Sequence, residues 1–412
     1  MLFLWLARSL STADFANFGL LYALQQGLAT FAIAGIVEAT IGLLKNQRKE
    51  DQYQLLFRAS NLCFVVMSAC AVLVALFIWA LYLRSAQVLL STSVVVTIGG
   101  ILLAFSSLQA QIVRLEEKHL WSLAFSFIPP SVSLIGGAVA FWLYKTAAFY
   151  FVGYAAGLFI SLTMMRFVRI GNWTSNAKIP LSIAIFRGAA PFMAVAIVGW
   201  LSGYGNNYIL NVIFEPLQIA RFTFALGLSS TLQLVASALN QVWSPRFFRT
   251  VHTLPSEEIE IRNKAFFRIQ AMALGLVGGL VIAFFPRALS WVGGNLTAYR
   301  SMTLEMSLLF ASYVLLSPWW HCNNYYLVHG KGRELMNVVL ATSATGVAVW
   351  ILLMWLLGPM GIYVGFFLQM LVRTLGIVLS ARRRWPVTIA WDGVVGGIVF
   401  TTLGYLFAVS QV

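Results

Sequence analysis

Twelve apolar stretches of about 20 residues each occupy most of this chain, at roughly 16–36, 59–82, 87–110, 120–143, 146–165, 184–205, 217–241, 266–286, 301–320, 335–357, 360–380 and 389–409. Twenty residues of helix match the hydrocarbon thickness of a bilayer. A spanning segment must also satisfy its backbone polar groups internally, which leaves helices or a closed barrel. The runs do not alternate apolar and polar residues, and that selects helices. With 60% hydrophobic and 10% charged residues and a mean hydropathy of +0.83, the chain lies outside the range of soluble domains. The sequence predicts an all-α, polytopic membrane helix bundle. Met1 to Ala7 would make only about 10 Å of helix, and reads as the tail of a further span whose start is missing, for a total of 12 to 13.

Lys and Arg set the orientation, because basic loops resist translocation. Of the 27 basic residues, 21 fall in loops after even-numbered spans, counting the N-terminal fragment as the first. Those loops are assigned to the cytoplasm, and the C-terminus to the outside. The net charge of +14 is thereby mostly topology, and nucleic acid is not an expected partner. Both long connections, near 168–183 and 243–265, fall on the cytoplasmic side. A membrane glycosyltransferase would need acidic residues on a sizeable outer loop; this chain offers neither, so it is not read as an enzyme.

Shifting the sequence by 204 residues lays Leu10–Leu24 over Phe214–Leu228, matching Ala16 with Ala220, Phe18 with Phe222 and Leu24 with Leu228. The offset is close to half the chain and joins segments of the same membrane sense. This predicts two parallel six-helix repeats plus one extra span: an N-terminal bundle over 1–167, a cytoplasmic linker over 168–183, a C-terminal bundle over 184–380, and an additional helix over 381–412. Two related bundles around a midplane site form a transporter architecture.

Ionisable groups inside a membrane are costly and mark function. Glu38 near the inner end of the second span, Glu305 near the outer end of the tenth, and Arg373 well inside the twelfth are such groups; the bland alternatives are interfacial carboxylates and a snorkelling arginine. Asp392 reads as a helix-start residue. Amides are more numerous, among them Gln25, Asn206, Asn207, Asn240, Gln241, Asn323, Asn324 and Gln369. Single amides serve as interhelical glue at roughly 0.6 kcal/mol each, but in a passage they bind sugar hydroxyls. In the stretch ALNQVWSPRFFR, Trp243 is expected at the interface and Pro245 as the helix stop. The WWHCNN run from Trp319 reads as an aromatic belt in preference to a sugar-stacking surface, and His321 has no second ligand nearby in sequence. GxxxG spacings at Gly153/Gly157, Gly199/Gly203, Gly275/Gly279 and Gly361/Gly365 permit close helix contact. There is no GxxxxGK phosphate loop and no Cys/His cluster, so no cofactor or metal is expected. Transport coupled to a proton or sodium gradient is the default that remains, with Glu38 and Glu305 as the first ion-coupling candidates.

Several of these strings resemble the bacterial polysaccharide (O-antigen) flippases of the multidrug/oligosaccharidyl-lipid/polysaccharide (MOP) exporter superfamily: APF at 190–192, NNYILN at 206–211, ALNQVWSPRFF at 238–248, RSLSTADFANFG at 8–19 and YYLVHGKGRE at 325–334. Asn206 and Asn207 stand where that family usually carries an acidic-basic pair. The resemblance implies a short oligosaccharide on a polyprenyl pyrophosphate, moved outward across the bacterial cytoplasmic membrane, with other polysaccharide-assembly proteins as further partners besides membrane lipids. Pyrophosphate requires cations, and Arg373, Arg187 and Arg221 are the best placed, the latter two at opposite ends of their spans. Asn206, Asn207, Asn240 and Gln241 are the glycan candidates. A peptidoglycan-precursor flippase and a multidrug exporter share this layout, and a structural or anchoring membrane protein would instead show a dry, apolar bundle.

Overall fold

The computed structural model of the chain describes residues 2–36, 39–40, 50–84, 86–115, 119–168, 179–251 and 253–411. The described residues form helices α1 (Leu2–Ser9), α2 (Thr12–Ile33), α3 (Glu50–Ile78, continued by a π-turn Trp79–Leu83), α4 (Leu90–Leu115), α5 (His119–Tyr144), α6 (Ala147–Val168), α7 (Ile179–Leu201), α8 (Asn206–Ile213), α9 (Pro216–Thr250), α10 (Ser256–Val292), α11 (Thr303–Leu315), α12 (Ser317–Val328), α13 (Gly332–Leu357), α14 (Pro359–Arg382) and α15 (Trp391–Val409). A 3-10 turn, Gly294–Tyr299, precedes α11. Among the described residues there is no strand, and nine helices are long and apolar enough to cross a membrane. Leu73, Phe77, Trp142, Phe284 and Trp355 are exposed, as lipid-facing side chains of a multi-pass membrane protein are.

Local chemistry fixes the helix ends. Ser11 caps α2, its hydroxyl accepting from the Asp14 amide at 3.1 Å. Gly358, at φ +59°, turns the chain between α13 and α14 in the left-handed conformation that side chains resist, and Pro359 follows at a helix start where its missing N–H costs nothing. Leu316 separates α11 from α12, with Pro318 in the first turn of the latter. Two expectations change here. Helix α9 does not stop at Pro245 but runs on to Thr250, and α10 starts at Ser256, so the connection expected over 243–265 is mostly helix. The span expected over 184–205 closes at Leu201, and a turn leads into the short α8.

The contacts divide the chain into two compact units, one comprising Leu10–Ile219 and the other Phe3–Ser9 with Ala220–Val412. Helix α8 thus goes with the first unit, and most of the linker expected over 168–183 lies outside the described residues. In the first unit α2 packs on α3, α4 and α7, and α5 on α6. In the second, α10 packs on α11 and α15, and α14 on α11, α12 and α13. Close backbone approach makes the tightest seams. A Cβ on Gly153 would stand 2.2 Å from the Gly136 carbonyl oxygen, and one on Gly275 would stand 2.2 Å from Gly397. Gly361 and Gly365 likewise face the backbone of Leu353 and Trp350, whereas Gly199 has nothing within 4 Å. Three of the four GxxxG spacings therefore sit at helix contacts.

The repeat is visible in the helix register. The 204-residue shift carries α1 onto α8 and the first residue of α2 onto that of α9. Beyond α10 the shift grows to 213, because the segment 293–302 is inserted: Leu90 of α4 then falls on Thr303 of α11, and His119 of α5 on Gly332 of α13. Helix α15, expected as an appendage, has a counterpart. Its start, Trp391, lies 212 residues beyond the start of α7, Ile179, and each packs on the long helix of its own unit, α10 and α3 respectively.

Candidate functional site at the basic end of the second unit

The ALNQVWSPRFFR stretch places Asn240, Trp243, Ser244 and Phe247 on the last three turns of α9. The first turns of α10 bring Glu260, Asn263 and Phe267, α12 brings His321, Asn324 and Tyr325, and the segment after α14 brings Trp385 and Thr388. These side chains form one hydrogen-bonded cluster. Asn324 Nδ2 donates to Asn240 Oδ1 at 3.0 Å, and Ser244 Oγ donates to Asn324 Oδ1 at 3.0 Å. Trp243 Nε1 donates to Asn263 Oδ1 at 2.8 Å, while Asn263 Nδ2 donates to the Tyr325 hydroxyl at 3.5 Å. Tyr325 in turn donates to Glu260 Oε1. Glu260 Oε2 accepts from the Thr388 amide at 2.6 Å and from its hydroxyl at 3.0 Å. His321 Nε2 lies 3.9 Å from Glu260 Oε1, and its ring is stacked on Phe267 with centroids 4.7 Å apart.

Glu260 and His321 are 5% and 1% exposed. A carboxyl group so buried needs hydrogen-bond partners, and here three donors reach it. The two nitrogens of His321 have no hydrogen-bond partner. Beside this cluster an open cleft of about 710 Å³ is lined by Trp243, Arg246, Arg249, Ile259, Arg262 and Phe266. It combines guanidinium groups with apolar walls, as an amphipathic anion would require.

The sequence candidates are distributed as follows. Asn240 belongs to the cluster; the side chain of Gln241 and the whole of Glu38 lie outside the described residues. Arg373, on α14, is 8% exposed. Its Nη1 meets the Met370 sulfur at 3.9 Å, its Nε has no partner, and no carboxylate among the described residues pairs with it. Arg221 and Glu305 come together at the opposite end of the same unit, where Arg221 Nη2 donates to Ser301 Oγ at 3.1 Å and lies within electrostatic reach of Glu305. In the adjoining 3-10 turn, burial pushes the Tyr299 phenol up to about 12, with Arg221 acting the other way. Arg187 is exposed on α7. Asn206 and Asn207 are buried in the first unit: Asn207 Nδ2 donates to the Gly19 carbonyl at 3.5 Å, and Asn206 Nδ2 to the Ser202 carbonyl at 3.4 Å, leaving Asn206 Oδ1 unpartnered. Asp392, in the first turn of α15, pairs with Arg268 at 2.6 Å.

The WWHCNN run is not a belt. His321 through Tyr326 are buried, and Trp319 and Trp320 half-buried. Sequence reasoning passed over Glu260 because it sits in the run SEEIEIR beside Glu257 and Glu258, with nothing to mark it. It also sought a partner for His321 among sequence neighbours, whereas the partner lies 61 positions away.

Comparison with known proteins agrees with this architecture. The structure resembles an inward-facing multidrug resistance MATE family transporter of the MOP superfamily, with a TM-score of 0.72 and 14% identity over 93% of this chain and 92% of that one. It also resembles lipid II flippase MurJ in an inward closed conformation (TM-score 0.67, 11% identity, 100% of this chain and 96% of that one). A third likeness is to the eukaryotic MATE transporter AtDTX14 (TM-score 0.65, 12% identity, 97% and 91%). No curated protein sequence matches significantly. Residues 2–251, more than half of the chain, match the family described as polysaccharide biosynthesis protein. The chain belongs to that polysaccharide biosynthesis protein family.

Proposed function

We propose that this protein is a flippase that moves polyprenyl-pyrophosphate-linked oligosaccharide repeat units outward across the bacterial cytoplasmic membrane for O-antigen or related polysaccharide assembly, by ion-coupled alternating access of its two repeats. Arg373 carries the reading. A guanidinium buried in a helix bundle with no carboxylate partner among the described residues is strongly unfavourable unless an anion visits it. A pyrophosphate or an acidic sugar is such an anion and offers the bidentate oxygens that arginine recognises. A cationic drug is repelled there, which weighs against the multidrug reading that the MATE likeness would suggest.

Lipid II, the substrate named for MurJ, is the nearest alternative, since likeness at 11% identity speaks only for the fold. Complementation separates the two. Expression should restore surface polysaccharide in a strain deleted for its O-antigen flippase and should fail to rescue depletion of a peptidoglycan-precursor flippase. The reverse pattern would overturn the substrate. Arg373→Ala combined with Arg221→Ala, at normal protein level, should abolish the rescue; wild-type export from that double variant would remove the arginines from the mechanism.

A further inference from the structure

Of the two carboxylates singled out in the sequence, Glu38 lies outside the described residues, and Glu305 has Arg221 within electrostatic reach. The pair with the required properties is Glu260 and His321. We propose that these two residues form a proton-binding site at the basic end of the second unit, whose occupancy controls how α10 is held to α12 and to the segment after α14.

The geometry is that of a site with its proton absent. Glu260 is fully engaged by Tyr325 and by the amide and hydroxyl of Thr388, all three of them donors to the carboxylate oxygens. His321 Nε2 points toward that carboxylate but stops at 3.9 Å, about 1 Å beyond the length of a charge-assisted hydrogen bond. Both ring nitrogens are unpartnered, so the neutral imidazole leaves its hydrogen-bonding capacity unused. Adding one proton places N–H groups on both nitrogens and a positive charge next to the carboxylate and over the Phe267 ring, 4.7 Å away, where the ring face attracts cations. The proton resides on His321 and the negative charge stays on Glu260, so the pair as a whole becomes neutral. Closing the 3.9 Å gap draws α12 toward α10 and competes with Tyr325 for Glu260 Oε1. Losing the proton reverses this.

The other titratable and charged groups around the pair are few. Tyr325 and Cys322 lie on α12, Cys322 being within electrostatic reach of both Glu260 and Arg382. His329 is stacked on Trp385 at 5.3 Å, and Trp385 is stacked on Tyr325 at 5.7 Å. Arg382, on α14, donates to the Val387 carbonyl at 3.3 Å. From α9 the contacts to Asn263 and Tyr325 are Trp243 and Phe247, both uncharged, and Arg246 lines the neighbouring cleft with Asn263. The chain Trp243–Asn263–Tyr325–Glu260 connects that cleft to the proton site, so an anion binding among the cleft arginines would be felt at Glu260. The coupling role rests on the flippase reading; the proton site itself does not.

The test uses full-length protein in lipid nanodiscs with ¹⁵N-labelled histidine, of which the chain has four. Wild-type spectra should contain one ring-nitrogen pair, absent from His321→Gln, that changes from the neutral to the charged pattern as pH falls from 9 to 5. In Glu260→Gln the change should require at least a tenfold higher proton concentration, because the balancing charge is gone, while Glu260→Asp should stay near wild type. A His321 signal that never changes, or that changes identically in Glu260→Gln, overturns the site. Should Glu260→Gln not accumulate, Thr388→Val serves: removing the hydroxyl, one of the two donors to Glu260 Oε2, should move the His321 transition, and an unmoved transition overturns the proposal. In proteoliposomes the pH dependence of flipping should flatten in His321→Gln. Absent flipping with a normal His321 titration would remove the transport reading and leave the proton site standing.

Discussion

Where the second unit holds Arg373, the first holds Ser161, each 14 residues into its helix, α14 from Pro359 and α6 from Ala147. Ser161 turns its hydroxyl back onto its own helix, donating to the Gly157 carbonyl at 2.8 Å, whereas Arg373 meets a methionine sulfur and pairs with no carboxylate among the described residues. The same holds for His321, whose counterpart under the 213-residue shift is Leu108, a buried aliphatic side chain. Among the described residues the buried carboxylate, imidazole and guanidinium groups (Glu260, His321 and Arg373) all belong to the second unit. The buried polar groups described in the first unit are amides, hydroxyls and tyrosines, including Tyr208, whose hydroxyl donates to the Leu20 carbonyl at 2.8 Å. One helix plan thus supports two kinds of interior.

Exchanging the residues tests that contrast most severely. Ser161→Arg would put an unpartnered guanidinium into the first unit at a cost of several kcal/mol, and the variant should fail to accumulate in membranes by immunoblot. The reciprocal Arg373→Ser should accumulate normally, because it removes a buried charge, yet lower polysaccharide export at least tenfold. Normal levels of Ser161→Arg would show that the first unit tolerates charge and would dissolve the comparison.

Packing should be the property the units share. Gly153→Leu in the first and Gly275→Leu in the second each force a side chain into space already held by backbone, at Gly136 and Gly397. Each should cost about 3 kcal/mol and lower the thermal midpoint of the purified protein to a similar degree. Unequal losses would mean that one seam bears more of the stability than the other.

The helix plan was legible because lipid imposes it: about 20 apolar residues per span, basic loops on one side, and small residues where helices touch. Even the 204-residue shift that joins Leu10–Leu24 to Phe214–Leu228 returned as paired helix starts. Helix ends were less legible. Pro245 signalled a stop, but α9 continues through it because Phe247 is buried and meets the Tyr325 ring edge-on at 4.9 Å, and tertiary packing outweighs local preference. The site was legible only in part. Asn240, Arg373 and His321 stood out as polar residues in apolar runs. Glu260 did not, since it lies in a stretch whose neighbours are equally acidic, and only the meeting of α10, α12 and Thr388 distinguishes it.

Smaller effects sharpen the comparison further. Trp200 in the first unit donates to the Ala23 carbonyl at 2.9 Å, and Trp350 in the second donates to the Ile362 carbonyl at 2.8 Å. Phenylalanine at either position leaves a carbonyl without its donor and should cost about 1 kcal/mol, read as matched shifts of the thermal midpoint with export intact. The least sensitive contact should be the Arg268–Asp392 pair. Its side chains are 46% and 53% exposed, so solvent screens the attraction, and holding two mobile side chains together consumes most of what remains. Asp392→Asn should therefore change stability by less than about 0.5 kcal/mol, and the change should vanish in high salt. A larger, salt-resistant loss would mean that Asp392 acts as part of the end of α15 and not as half of a surface ion pair. Charge in the second unit would then matter to its architecture as well as to its interior chemistry.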